Sequence, residues 1–371
     1  MKSLFLNSRR LFWKYSIVCL LWIVLISYGT LNLSNIHNTN KSVCHAGNET
    51  ERNKIEKFLE PKFIAIGNIL DDDESLMSDL NQNIFLLETH MDEVRILDNA
   101  RQACSVESAA RANPDAKISF ILTTNSSGIS LKYTDIAHAL LSYENIHIRY
   151  LNPHEFSKGT VIEHLVESNA VLSSKYPIEH MADVMRVLLL YKYTGLYLDL
   201  DIFSLTSLVS LNYTNFACPE DVNIITNAVL NVDKNGRKVM ELYLHKLNSS
   251  YDGSSWGVNG LAMLSVSIRS FCNNKNITKN ELTICDEFTI LPVQKCYPLE
   301  YDDYYNFYLP EGKMKALEKI KHSNAYFVHI WNKMLDFGNQ KFPLTFESDS
   351  AYIELAKALC PKVLKTIEKY F

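Results

Sequence analysis

The sequence predicts an α/β fold built on one central, mostly parallel sheet. Two observations point there. From residue 83 to residue 151, short apolar runs of strand length alternate with longer helical patterns, the arrangement of βαβ units. Further on, a long apolar helix pattern, Tyr176–Tyr193, is followed by Thr194-Gly195. After these comes a strand pattern with an acidic far end, Leu196-Tyr197-Leu198-Asp199-Leu200-Asp201-Ile202. With 371 residues, 47% apolar and 21% charged, the chain has the material for one large core. A net charge of −5 and no Lys/Arg-rich block exclude an electrostatic basis for nucleic-acid binding.

At the N-terminus, Lys2, Arg9, Arg10 and Lys14 precede an uncharged stretch that runs from Tyr15 to about Leu33. Its length approaches the roughly 20 residues that cross a bilayer. The basic flank keeps the N-terminus cytosolic. The expectation is therefore a tail over 1–14, a transmembrane signal anchor over 15–34 and a luminal remainder. A cleaved signal peptide, with Ser27-Tyr28-Gly29 as a weak cleavage site, is the rival reading. Residues 35–80 read as a polar stem, with Asp71-Asp72-Asp73-Glu74 as a solvated charge run, and 81–371 as the catalytic body. Asn-x-Ser/Thr sites at Asn32, Asn40, Asn48, Asn125, Asn212, Asn248 and Asn276 agree with a luminal body. So do the cysteines, because an oxidising compartment favours disulfides. Setting Cys19 aside in the anchor leaves Cys44, Cys104, Cys218, Cys272, Cys285, Cys296 and Cys360. That count is odd, so one thiol lacks a partner within the chain.

Within the body, Phe85-Leu86-Leu87 reads as a buried strand and Leu97–Arg111 as a helix ending before Asn113-Pro114. Ile118–Leu122 is a strand, Asp135–Tyr143 a helix and Ile146–Leu151 a strand. The helix Tyr176–Tyr193 has Pro177 near its start and Gly195 just past its end, the usual places for both residues. Side chains alternate along a strand, so Asp199 and Asp201 share one face, with Leu198, Leu200 and Ile202 on the other. Carboxylates at a strand's carboxyl end sit where open α/β sheets bind ligands. Paired hard oxygens suit Mg²⁺ or Mn²⁺, and such an ion can hold a diphosphate. Two exposed acids in a turn is the plain alternative. Asp183 and Arg186, at i and i+3, share a helix face and read either as a site pair or as a surface ion pair.

These residues carry a family resemblance. The run from Asp183 and Arg186 through Leu188–Tyr193, Gly195 and Tyr197-Leu198-Asp199 to Asp201 resembles the sugar-binding region that contains the Asp-x-Asp motif. Ile84–Thr89, Cys104–Arg111, Asn227-Ala228, Trp256-Gly257, Leu291-Pro292, Tyr297-Pro298 and His329–Lys333 follow in the order of the lactosylceramide 4-α-galactosyltransferase and α-1,4-N-acetylglucosaminyltransferase family. Thr194 stands where that family usually has the first of two glycines, and Gly260-Leu261 where it has Gly-Pro.

The resemblance implies a nucleotide-sugar transferase type A fold, a Rossmann-like mixed sheet flanked by helices. It implies a retaining, Mn²⁺-dependent α-1,4-glycosyltransferase in the Golgi membrane. Galactose or N-acetylgalactosamine would pass from a UDP-sugar to the terminal sugar of a glycosphingolipid. Asp201 would coordinate the metal, and Asp199 would reach it through water or hold the ribose. Asp183 and Arg186 would bind the donor sugar. His329 could complete the metal shell, or be a core histidine beside Trp331. Asn332 could hold the diphosphate, and Asn227 and Asn259 are candidates for sugar hydroxyls. Two alternatives stand: N-acetylglucosaminyl or mannosyl transfer to protein glycans, and a luminal carbohydrate-binding protein without turnover. Asn231-x-Asp233-x-Asn235-Gly236 mimics a calcium loop but lacks its closing Glu, so Asn235-Gly236 reads as a hairpin turn. Tyr301-Asp302-Asp303-Tyr304-Tyr305 reads as a stacking platform for an acceptor sugar or as a packed or exposed loop.

Overall fold

The structure is a computed structural model that describes residues 63–78, 82–222, 224–273, 275–335, 344–345 and 347–367. The expected tail and anchor, and the stem up to residue 62, lie outside the described residues. No described helix is long and apolar enough to cross a membrane.

In chain order the principal elements are β1 (Phe63–Asn68), β2 (Asn83–Glu88), β3 (Val94–Ile96), α1 (Ala100–Ala112), β4 (Lys117–Thr123), β5 (Ile129–Lys132), α2 (Asp135–Leu141), β6 (Ile146–Leu151) and α3 (Pro177–Tyr193). There follow β7 (Gly195–Leu198), β8 (Ile202–Ser204), β9 (Phe216–Asp221), β10 (Ile224–Val232), α4 (Arg237–Ser250), α5 (Met263–Phe271), β11 (Thr283–Cys285), β12 (Phe288–Ile290), α6 (Lys313–Ser323), β13 (Phe327–His329) and α7 (Ala351–Leu359). Eleven of the described strands form one sheet in the order β11-β12-β9-β10-β7-β2-β4-β6-β1-β5-β3. β7, β2, β4, β6 and β1 run parallel. The β10 flank is antiparallel to β7 and β9, and β5 is antiparallel to β1. The sheet is therefore mixed, with its parallel part at the centre.

Central strands are buried on both faces, which is why they read as continuous apolar runs. Along β2, Ile84 and Leu86 point into one core with Cys104, Val106 and Ala109 of α1. Phe85 and Leu87 point into the other with Met185, Leu188 and Leu189 of α3. Burying each such side chain contributes about 1.5–3 kcal/mol.

Residues 63–78 are not stem: the compact unit starts at Lys62, and β1 lies in the sheet between β6 and β5. The acidic run is structural as well. Asp72 pairs with Lys117 at 3.1 Å and Arg149 at 3.0 Å, and Asp73 accepts from the Tyr193 hydroxyl. The two aspartates do not share one strand. β7 ends at Leu198, a turn takes Asp199 to Asp201, and β8 leaves the main sheet to pair with β13. Asn235-Gly236 is also no hairpin. Both backbone N–H groups donate to Asp233 Oδ1 in the turn that leads into α4.

Candidate active site

The site lies at the carboxyl end of β7. From β2 the chain crosses to β4 and β6 on one side, and β7 later takes the opposite side of β2. Such a switch point opens a crevice between strand ends. Gly195 sets the strand's start. Its φ is +119°, and a Cβ there would lie 2.4 Å from the Asn83 carbonyl oxygen, so no other residue fits.

Arg186 is the hub. Its guanidinium is buried on α3 and reaches Asp199 Oδ1 at 2.8 Å and the Asn227 carbonyl at 3.1 Å. Nε donates to the Ala182 carbonyl at 3.2 Å, and the group lies over the Tyr197 ring, 4.8 Å from its centroid. Burial alone would lower the Arg186 pKa, but Asp199, Tyr197 and Asp183 together raise it. The Tyr197 hydroxyl also donates to Asp199 Oδ1, at 2.9 Å. Asp199 is thus held by two donors and faces Arg186. Asp183 is buried, 3.7 Å from Arg186, and accepts from Asn227 Nδ2 at 2.9 Å. Burial pushes its carboxyl up, against Arg186 and Asn227.

Asp201 turns the other way. Its Oδ1 lies 3.3 Å from His329 Nε2, because β8 and β13 pair Ile202 with His329. Burial raises the Asp201 carboxyl, opposed by His329 and by the backbone N–H of Asn332. The backbone N–H of Trp331 donates to His329 Nδ1 at 3.2 Å, so a neutral ring carries its proton on Nε2, toward Asp201. Among the described residues, no group of three or more His, Cys, Asp or Glu is placed to hold a metal ion. Asp201 and His329 supply one oxygen and one nitrogen facing each other. Ligation through Nε2 requires that proton to leave, and the Trp331 contact with it.

The other expected residues divide. Asn227 is brought into the cluster, but its amide holds Asp183 and its carbonyl holds Arg186, so it positions both side chains. Asn332 Oδ1 is buried without a hydrogen-bond partner, on a residue whose backbone N–H meets Asp201. Asn259, expected at a sugar hydroxyl, is fully buried. Its amide accepts from Asp252 N–H at 2.9 Å and donates to the Asp252 carbonyl at 2.7 Å. It ties a loop and, being fully buried, offers no exposed group to a sugar.

Two participants escape sequence reasoning. Tyr243 of α4 donates to the carbonyls of Asn259 and Gly260, and Gly260 abuts Asp183. Glu220, at the end of β9, is half-buried, and burial pushes its carboxyl up while His329 pulls it down. Neither belongs to a motif, and only the β10 and α4 packing brings them to the crevice.

Comparisons with known proteins agree with this geometry. Residues 99–217 match the glycosyltransferase sugar-binding region containing the DXD motif, and residues 232–367 match the alpha 1,4-glycosyltransferase conserved region. The lactosylceramide 4-alpha-galactosyltransferase of Mus musculus is 27% identical over 289 residues, 78% of this chain and 77% of its own. The alpha-1,4-N-acetylglucosaminyltransferase of Homo sapiens is 21% identical over 271 residues, 72% of this chain and 76% of its own. A galactosyltransferase solved with donor and acceptor sugar analogs is 13% identical and covers 75% of this chain and 96% of its own, with a TM-score of 0.39. That last likeness is too slight to argue from.

A DXD turn at a sheet switch point, inside the sugar-binding region matched over residues 99–217, defines a glycosyltransferase. More narrowly, the chain is similar over most of its length to lactosylceramide 4-alpha-galactosyltransferase and to alpha-1,4-N-acetylglucosaminyltransferase.

Proposed function

We propose that the protein transfers galactose or N-acetylgalactosamine from a UDP-sugar to the terminal sugar of a glycosphingolipid, in α-1,4 linkage with retained configuration, on a type A nucleotide-sugar transferase fold. The observation that carries this reading is the split of the two motif aspartates. Asp199 faces Arg186 at 2.8 Å and Asp201 faces His329 at 3.3 Å. One carboxylate is tied to the buried cluster of Asp183, Arg186 and Asn227, where donor sugar hydroxyls would bind. The other is left for a cation. Asp201 and His329 would hold Mn²⁺, which when bound offsets the charge of the departing diphosphate. Asn332, with its orphaned amide oxygen, would meet the diphosphate or its hydration shell. An amide can be turned to present its NH₂ instead.

The cell address follows the same reading: a type II anchor over residues 15–34 and a catalytic body in the Golgi lumen. Three disulfides support it, Cys104–Cys360, Cys218–Cys296 and Cys272–Cys285. So do four exposed acceptor sites, Asn125, Asn212, Asn248 and Asn276. The similarity to the 4-alpha-galactosyltransferase is stronger than that to the N-acetylglucosaminyl enzyme, which favours a galactose-type donor.

The full chain in detergent should transfer radiolabelled sugar from UDP-galactose or UDP-N-acetylgalactosamine to lactosylceramide, and α-galactosidase or α-N-acetylgalactosaminidase should release it. Transfer only from UDP-N-acetylglucosamine or GDP-mannose would contradict the donor assignment.

A further inference from the structure

A ladder of aromatic rings leads from the DXD turn to the protein surface. It begins at His329, whose ring lies 4.1 Å from Trp331 and 5.4 Å from Tyr297. Trp331 meets Tyr301 edge-on at 5.5 Å, Tyr301 meets Tyr304 at 6.3 Å, and Tyr304 meets Tyr305 at 6.1 Å. The inner end is closed, since Trp331 is 8% exposed. The outer end is open, with Tyr301 46% and Tyr305 40% exposed.

Their support is rigid. Tyr301–Phe307 is a 3₁₀ turn whose far end is sunk in the core, with Asn306 and Phe307 buried. Asp303, between the tyrosines, is clamped by Lys315 at 2.8 Å and Lys319 at 2.6 Å. Gly312 presses on Asn306 so closely that a Cβ would lie 2.4 Å from its Cα. Trp331 has a φ of +54°, a conformation that a bulky residue keeps only where its surroundings enforce it. Here it sets the indole between His329 and Tyr301, with its N–H on the Leu299 carbonyl at 3.4 Å.

We propose that Tyr301 and Tyr305, backed by Tyr304 and Trp331, form the acceptor subsite, a shelf for a terminal β-galactoside. The inference rests on the glycosyltransfer reading above and names the acceptor side of that site. A galactose ring has one face of C–H groups that packs on aromatic rings. Its axial 4-hydroxyl points from the opposite face. A galactose lying on the shelf therefore turns that hydroxyl away from the tyrosines, the orientation that transfer to O4 needs. The rings supply flat, pre-ordered contact area at little entropy cost. The donor groups, Asp183, Arg186, Asp199 and Asp201, are on other elements, so the two halves of the site are separately testable.

The test uses the full chain in detergent, with free lactose as the probe. Saturation-transfer NMR should show the galactose C–H protons of lactose saturated by the parent. The signal should be lost in Tyr301→Ala and Tyr305→Ala and kept in Tyr301→Phe and Tyr305→Phe, because the ring and not the hydroxyl does the stacking. In turnover, each alanine variant should raise the acceptor KM about tenfold, with the donor KM, the rate of UDP-sugar hydrolysis in water and the melting temperature unchanged. Lactose binding that survives both alanine substitutions overturns the proposal. So does a parent that binds no lactose. In that second case continued hydrolysis of the UDP-sugar would leave the transferase reading standing, whereas loss of hydrolysis as well would remove both.

Discussion

Asp183 and Gly260 meet by contact and not by a bond. A Cβ at Gly260 would come within 2.6 Å of both carboxylate oxygens of Asp183, so glycine is what lets Asp183 keep its place against Arg186 and Asn227. Gly260→Ala should shift that carboxylate. We expect kcat to fall by roughly tenfold or more, about 1.4 kcal/mol of barrier, with the circular dichroism spectrum unchanged; steady-state kinetics on the purified variant checks it. The i, i+3 spacing of Asp183 and Arg186 was legible in the sequence, because a helix puts such residues on one face. That Arg186 reaches across to Asp199 was not, since it depends on the β7 turn. Asn259 shows the limit of polarity as a guide. A buried amide satisfied by its own loop and one free for a ligand look alike in a sequence.

At the scale of elements, the acidic run after β1 shows how a strand can be missed. Asp71–Glu74 reads as a solvated stretch because its partners, Lys117 and Arg149, lie on β4 and β6. Burial alone would raise the Asp72 carboxyl. The hydrogen bonds from Lys117 and Arg149, with their charges, outweigh it and hold the group below its ordinary value of 3.8. A depressed folded pKa gives stability that is present above the unfolded value and lost as pH falls through the folded one. Asp72→Asn should therefore cost about 1–3 kcal/mol at neutral pH. The gap to the parent should close as pH drops below about 4, in urea melts run across that range. Helices and strands from Ile118 to Leu151 and the helix ending at Tyr193 were legible to within a few residues, because periodicity and glycine placement mark them. The break between β7 and β8 was not. Alternating Leu and Asp reads as one strand, and only the pairing of β8 with β13 ends it.

For the whole molecule, two apolar cores on opposite faces of one sheet hold the crevice open at its switch point, and disulfides close the chain around it. Cys104–Cys360 joins residues 256 apart, fastening the end of α7 to α1. The odd cysteine anticipated in the sequence is Cys44, which lies outside the described residues. The mixed character of the sheet was implied by family resemblance and not by the strand patterns. The antiparallel pairings of β10 with β7 and β9, and of β11 with β12, carry no signal that separates them from more parallel strands.

In the proposed reaction Asp201, opposite His329, would hold a cation that the bound diphosphate needs. The most direct measurement is calorimetric titration of UDP into the full chain, with Mn²⁺ and with EDTA, for the parent and for Asp201→Asn. UDP should bind the parent tightly only with Mn²⁺, and Asp201→Asn should bind it weakly and equally in both conditions. Equal binding by the parent in Mn²⁺ and EDTA, or Mn²⁺-enhanced binding that survives Asp201→Asn, would contradict it.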